Sequence, residues 1–282
     1  MQKLSIVILN FNTKELTQKC VDSIIGNTKG ISYEIVVVDN GSDEKIPKSK
    51  NYKLIESNIN LGFAGGNNLA RNYVKGEYVL FLNSDTEVYK DSISECLKYF
   101  ELHDEIGALT CKTVLPNGKP DRDARRSFPT PFVALTHFSG LDKVFPKSKI
   151  FAKYWYGYKS PDEIQEVDAI QGAFFLVKKE TLDKVDWFSE EYFLDGEDID
   201  LSFKIKSLGK EIIYYPKVSI LHIKKASKKK RSLKSKMAGV NSMEIFYKKF
   251  LWQRYDLILN LIVVFAIYLL KTLRFGKAII GR

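Results

Sequence analysis

The residues able to do chemistry fall in a few clusters. Asp195-Gly-Glu-Asp-Ile-Asp-Leu201 puts Glu197, Asp198 and Asp200 where a helix would begin. Acids in a first helical turn are favoured by the helix dipole, but three in four residues exceed what capping needs. A carboxylate there could take the proton of an attacking hydroxyl, and the residues alone do not choose among the three. Asp85 follows Leu82-Asn-Ser at the end of an apolar run, where one carboxylate could hold a divalent cation against a diphosphate. His222 also closes an apolar run and could add a nitrogen ligand, which suits manganese better than calcium. Asp39 stands where a strand-end carboxylate could accept the N–H of a pyrimidine base. Asn58-Ile-Asn-Leu-Gly-Phe-Ala-Gly-Gly-Asn-Asn68 could bring backbone N–H groups to an anion. It is neither a P-loop nor a dinucleotide fingerprint, which counts against ATPases and dehydrogenases. Taken singly, each cluster also fits plain turn-forming, capping or a structural histidine.

The elements around these clusters share a pattern. Leu4–Leu9 is a continuous apolar stretch of the kind buried on both faces of a sheet, and Glu34–Val38 and Tyr78–Leu82 read as further buried strands. Lys53–Glu56 reads as another strand, and helices are expected over Thr13–Ile25, Gly66–Val74 and Ser92–Leu102. Further on, Val167–Val177 reads as a strand, Asp198–Leu208 as a helix stopped by Gly209, and Glu211–Tyr215 and Val218–His222 as strands. Alternation at these lengths predicts an α/β fold with a mostly parallel sheet flanked by helices. Ligands bind beyond the C-terminal strand ends of such sheets. That rule singles out Asn10–Asn12, Asp39–Ser42 and Asn83–Asp85.

With 282 residues, the chain is long enough for one large domain and an appendage. The net charge of +10 is unevenly placed. Lys224–Arg282 holds 15 Lys and Arg against Glu244 and Asp256, leaving 29 basic and 32 acidic residues in 1–223. The basic character therefore belongs to the tail, and no nucleic-acid-binding motif accompanies it. Three widely spaced cysteines without a CxxC pair argue against a disulfide framework and for a reducing compartment. The first residues read as a strand rather than a signal peptide. We expect a domain over 1–223, an irregular insertion over about 121–166, and a helical tail over 224–282. The insertion carries Arg122, Arg125 and Arg126, four prolines, and the aromatics Tyr154, Trp155, Tyr156 and Tyr158, whose faces could stack on a sugar. In the tail, Lys224–Lys236 has eight Lys and Arg and no acid. Leu257–Leu270 is apolar on every helical face, at a length suited to an interfacial or buried helix. The pairing suits an anionic membrane surface, and the helix is also a candidate homodimer contact.

The order of the clusters is more specific than any one of them. Ile6-Val-Ile-Leu-Asn-Phe-Asn12, Val37-Val-Asp-Asn-Gly-Ser42, Asn60–Asn68, Leu82-Asn-Ser-Asp-Thr86, Gln171-Gly-Ala173, Gly196-Glu-Asp-Ile-Asp-Leu201 and His222 together resemble family 2 glycosyltransferases. The resemblance spans about residues 3–223 and is strongest to the bacterial rhamnosyltransferase-like branch. It implies a GT-A fold, a dTDP- or UDP-linked sugar donor, Mg2+ or Mn2+, and inversion at the anomeric carbon in one displacement. By position it implies base contacts from Phe11 and Asp39, with Asn68 near the nucleotide. It makes Asp85 and His222 metal ligands, Asp198 the base, and Gly172 a point of close acceptor approach. Glu197 and Trp155 join Gly172 as candidate acceptor contacts. The acceptor would be a polysaccharide or lipid-linked glycan on the inner face of the cell membrane, with the enzyme cytoplasmic and peripheral. The family's Asp-x-Asp begins with Asn83 here, leaving one carboxylate instead of two. That departure supports an alternative reading, a catalytically silent nucleotide-sugar-binding or scaffold subunit.

Overall fold

In the computed structural model, residues 2–224 and 232–280 are described. The basic stretch expected over Lys224–Lys236 therefore lies partly outside them, at 225–231. The chain opens with β1 (Leu4–Asn10), α1 (Lys14–Asn27), β2 (Tyr33–Asn40), β3 (Lys53–Ser57) and α2 (Gly62–Asn68). It continues through β4 (Tyr78–Asn83), β5 (Thr86–Val88), α3 (Ser92–Glu101) and β6 (Ile106–Val114). The insertion contains β7 (Arg125–Arg126), α4 (Pro131–Phe138), α5 (Leu141–Val144) and β8 (Gln165–Glu166). Then come β9 (Ala169–Ile170), β10 (Phe174–Lys178), α6 (Lys179–Lys184), α7 (Glu197–Ser207) and β11 (Glu211–His222). The tail forms α8 (Leu233–Phe246) and α9 (Leu257–Ile280).

One large sheet orders its strands β3-β2-β1-β4-β10-β6-β11-β5, with β8 beside β11. The half from β3 to β4 is parallel throughout, with β1 pairing Leu4 to Tyr33 on one side and to Tyr78 on the other. Beyond it the sheet is mixed. β10 runs antiparallel between β4 and β6, while β6 and β11 pair in parallel. Alternation in β1 serves two cores. Leu4, Ile6 and Ile8 pack with Cys20, Ile24, Leu97 and Phe100 under α1 and α3, and Val7 packs with Ala64, Phe81, Trp187 and Leu201 on the opposite face. A strand buried on both faces is mostly apolar, and the buried Ser5 of β1 keeps partners in Glu34 and in the N–H groups of Lys75 and Gly76.

Four expected elements differ from the structure. The helix expected at Gly66–Val74 starts at Gly62 instead, where Asn60 Oδ1 accepts from Gly62 N (2.8 Å) and Asn40 Oδ1 from Leu61 N (3.0 Å). Gly62 has φ +80, and a Cβ there would meet Phe193 O at 2.2 Å. The strand expected over Val167–Val177 is interrupted at Gln171–Ala173, because Ala169–Ile170 pairs with Arg125–Arg126 in a separate two-stranded sheet. Glu211–His222 is one strand, with an irregular register between Tyr215 and Ser219. The apolar tail helix continues past Leu270 to Ile280, since Lys271 and Arg274 are good helix formers. β6 was not anticipated.

The tail packs against α7. Ile199 and Phe203 meet Val240, Phe246, Tyr247, Leu251 and Ile267, and the buried Asn260 accepts from Tyr247 Oη (2.6 Å). The rest of α9 is largely uncovered. Leu257–Gly276 is long and apolar enough to cross a membrane, yet only 11% of it is buried.

Candidate active site

The C-terminal ends of β1, β2 and β4 open on a cleft of about 1400 Å³. It is lined by Phe11, Asn12, Asn40, Asn60, Asn83, Asp85 and His222, by Arg126 from the insertion, and by Gln171, Gly172, Glu197 and Asp198. The tail closes one side with Lys234, Met243, Phe246, Leu270, Leu273 and Arg274. Six of the residues singled out in the sequence thus share one cavity: Phe11, Asp85, Gly172, Glu197, Asp198 and His222. Asp39, Asn68 and Trp155 do not line it.

Those three are tied into the protein frame. Asp39 is fully buried and accepts from Ser42 N (2.9 Å), Ile46 N (3.2 Å) and Asn10 Nδ2 (3.3 Å), so it shapes the loop after β2. Asn68 donates to Phe188 O and Glu190 Oε1, both at 2.9 Å, and fastens α2 to the segment before α7. Trp155 donates to Asp123 Oδ1 (3.3 Å) and meets His137 edge-on, one layer behind the wall. Phe11, by contrast, is 43% exposed. Its ring is available at the parallel end of the cleft.

Asp85 and His222 meet at the far ends of β4 and β11. Asp85 Oδ1 lies 3.3 Å from His222 Nε2, and the other imidazole nitrogen lies 3.2 Å from Asp121 Oδ2. Asp121 in turn binds Lys224 Nζ (2.8 Å), which also reaches Asp123 (2.7 Å). Burial works against charge on His222, but its hydrogen bonds to Asp121 and Asp85 outweigh it and raise its pKa above the usual 6.5. Asp121 was not foreseen; it lies within the insertion, far from His222 in sequence.

The pair fits a hard cation. An oxygen and a nitrogen 3.3 Å apart can both coordinate one ion at about 2.1 Å, and the carboxylate behind the imidazole is the usual orienting partner of a ligating histidine. Asn83 Nδ2 lies 3.5 Å from His222 Nε2, where the family pattern expects a second acid. Among the described residues no group of three or more His, Cys, Asp or Glu gathers around one point. The protein side of such a site would be two ligands, with diphosphate oxygens and water completing it.

Asp198 sits in the first turn of α7. Its Oδ2 is 2.6 Å from Arg126 Nη2 and accepts from Gly172 N (3.3 Å), while Oδ1 is buried without a partner. A buried carboxylate oxygen left unpaired is costly. Glu197, beside it, is also buried with Oε2 unpaired. Burial, then the neighbouring Asp198 charge, pushes the Glu197 carboxyl well above its usual range. Gly172 has a packing reason to be glycine, since a Cβ would come within 2.8 Å of the Phe63 ring. Arg126 was visible only as one of three arginines in the insertion, and nothing in the sequence pairs it with α7.

This chain is similar to several known proteins. The model of the Glycosyl transferase family 2 matches residues 5–184. O-antigen biosynthesis protein RfbC of Myxococcus xanthus is 22% identical over 80% of this chain, which spans only 18% of that protein. Rhamnosyltransferase WbbL of Escherichia coli is 28% identical over 77% of this chain and 82% of its own length. Among solved structures, GalNAc-T7 with UDP, GalNAc and Mn2+ superposes with a TM-score of 0.62 at 16% identity, covering 88% of this chain and 49% of that one. At that identity the likeness speaks for the fold.

Proposed function

The chain belongs to glycosyl transferase family 2, and on that premise we propose that it is an inverting transferase moving a hexose, such as rhamnose, from a dTDP- or UDP-linked donor to a glycan hydroxyl. The observation carrying this reading is the unpaired Oδ1 of Asp198, buried in the same cleft as the Asp85–His222 pair. The acceptor hydroxyl gives its proton to Asp198 as its oxygen bonds to the anomeric carbon. The bond from that carbon to the diphosphate breaks on the opposite side, which inverts the configuration. Mg2+ or Mn2+ held by Asp85 and His222 would supply charge to stabilise the departing diphosphate. Lys224, beside Asp121, adds positive charge at this end of the cleft.

The tail supports a lipid-linked acceptor at the cytoplasmic face of a membrane. Lys234 and Arg274 line the cleft beside Leu270 and Leu273, and the uncovered face of α9 continues from the same wall. A 20-residue helix spans about 30 Å, the thickness of a bilayer core. Replacing the exposed Ile258, Phe265 and Leu269 by glutamate should move the protein into the soluble fraction. Unchanged partitioning would remove the membrane role.

The test of function is a thermal-shift panel of dTDP- and UDP-sugars with and without Mn2+, followed by NMR of the transfer product. Selective binding raises the melting temperature. One donor should stand out, more strongly with Mn2+, and the product should carry the inverted anomer. Retention of configuration would overturn the mechanism. Binding without any turnover would favour the donor-binding scaffold that Asn83 suggests.

A further inference from the structure

Arg126 is placed where it controls how Asp198 presents itself. It is buried, as is Asp198, and their contact of 2.6 Å is a charge-assisted hydrogen bond. The contact runs through Nη2, which also donates to Ile170 O (3.3 Å), and Nε has no partner. The backbone holding the guanidinium is fixed too. Arg126 pairs with Ala169 in the small β7–β9 sheet, and β9 leads directly into Gly172, whose N–H is the second donor to Asp198 Oδ2. One donor to that oxygen therefore comes from the two-stranded unit and the other from two residues beyond it. The other carboxylate oxygen is left bare.

We propose that Arg126 is the positioning residue of this site: it clamps one oxygen of Asp198 so that the other alone receives the acceptor's proton. This rests on the transferase reading above. The proton passes from the acceptor O–H to Oδ1, and the freed electron pair forms the new bond to the anomeric carbon. The old bond's pair leaves with the diphosphate, and Arg126 keeps its own proton throughout, as a guanidinium does. Its charge also lowers, without reversing, the raised pKa of Glu197, the neighbouring acid on the same helix. Tyr154 and Asp123 are the other titratable groups that bear on Arg126. A lysine could make the same single contact, whereas alanine would free the carboxylate to turn.

The experiment uses the full chain and the dTDP- or UDP-sugar that gives the largest thermal shift, turned over with water in place of the acceptor. Arg126→Ala should lower kcat about a hundredfold, the cost of a small misplacement of a reacting group, with donor KM within about threefold. Arg126→Lys should recover to within about tenfold of the wild type. Independently of turnover, both variants should keep the wild type's donor-induced thermal shift. An alanine variant with near-normal kcat, loss of donor binding together with kcat, or no recovery by lysine would each overturn the positioning role. No turnover by the wild-type chain with any donor that it binds would instead sink the transferase reading and the proposal with it.

Discussion

Asp85 and Asp198 line the same cleft, but Asp85 faces an imidazole at 3.3 Å and Asp198 a guanidinium at 2.6 Å. The imidazole can lose its proton and offer a lone pair, so the Asp85 end can exchange a proton for a metal ion. The guanidinium cannot, so the Asp198 end keeps its cation whatever binds. Behind His222 stands a further carboxylate, Asp121, itself paired with Lys224. Behind Arg126 stands backbone. On the proposed transferase reading, one end would take up a cation and the other hold a carboxylate in place, and this difference would separate donor binding from proton removal.

The sharpest way to break the contrast is to neutralise each aspartate without changing its shape. Asp198→Asn should lower kcat by about a hundredfold to ten-thousandfold, the range for a lost general base, while donor binding persists. Asp85→Asn should weaken Mn2+ and donor binding together. Steady-state kinetics with calorimetric donor binding would distinguish the two patterns. If both variants lose binding alike, the two ends are not functionally distinct.

A smaller effect is expected from Asp121→Asn. It never reaches the donor in this reading, and it acts only by orienting His222 and raising its basicity. Losing such an outer partner weakens metal affinity by about 10- to 100-fold. Mn2+ titration followed by electron paramagnetic resonance should show that loss with kcat at saturating metal little changed. Unaltered Mn2+ affinity would leave Asp121 a structural partner of Lys224 only.

The parallel half of this molecule was legible because its physics is local. Leu4–Leu9, Glu34–Val38 and Tyr78–Leu82 are largely apolar on both faces, and the candidate site clusters follow directly at their ends. The other half depends on pairings that no periodicity announces. β6 carries Gly107, Thr110, Lys112 and Thr113 within Ile106–Val114, which hides it as a run. The β7–β9 sheet that seats Arg126 is two residues long on each strand. Polarity near a strand end was also ambiguous. Asp39 and Phe11 both follow from the same motif order, but the short carboxylate turns inward to bind its own loop and the ring stays in the cleft. The tail looked like an appendage because its apolar residues lie all round α9, yet Leu270 and Leu273 wall the cleft.

The smallest predicted effect concerns how far the Arg126 charge reaches. Glu197 adjoins Asp198, and burial with that neighbouring charge lifts its carboxyl well above the ordinary 4.5. The folded chain then holds a proton that the unfolded chain releases, so this group makes stability fall as pH rises from about 4.5 towards the raised value. The limiting slope for one proton is about 1.4 kcal/mol per pH unit. Glu197→Gln removes that slope, so its urea midpoint should gain on the wild type as pH goes from 5 to 8. Parallel curves would mean that Glu197 ionises in the folded state and that Arg126 neutralises both acids. The Asp198 end would then resemble the Asp85 end, one cationic group serving two carboxylates, and the contrast drawn here would narrow to the identity of the cation.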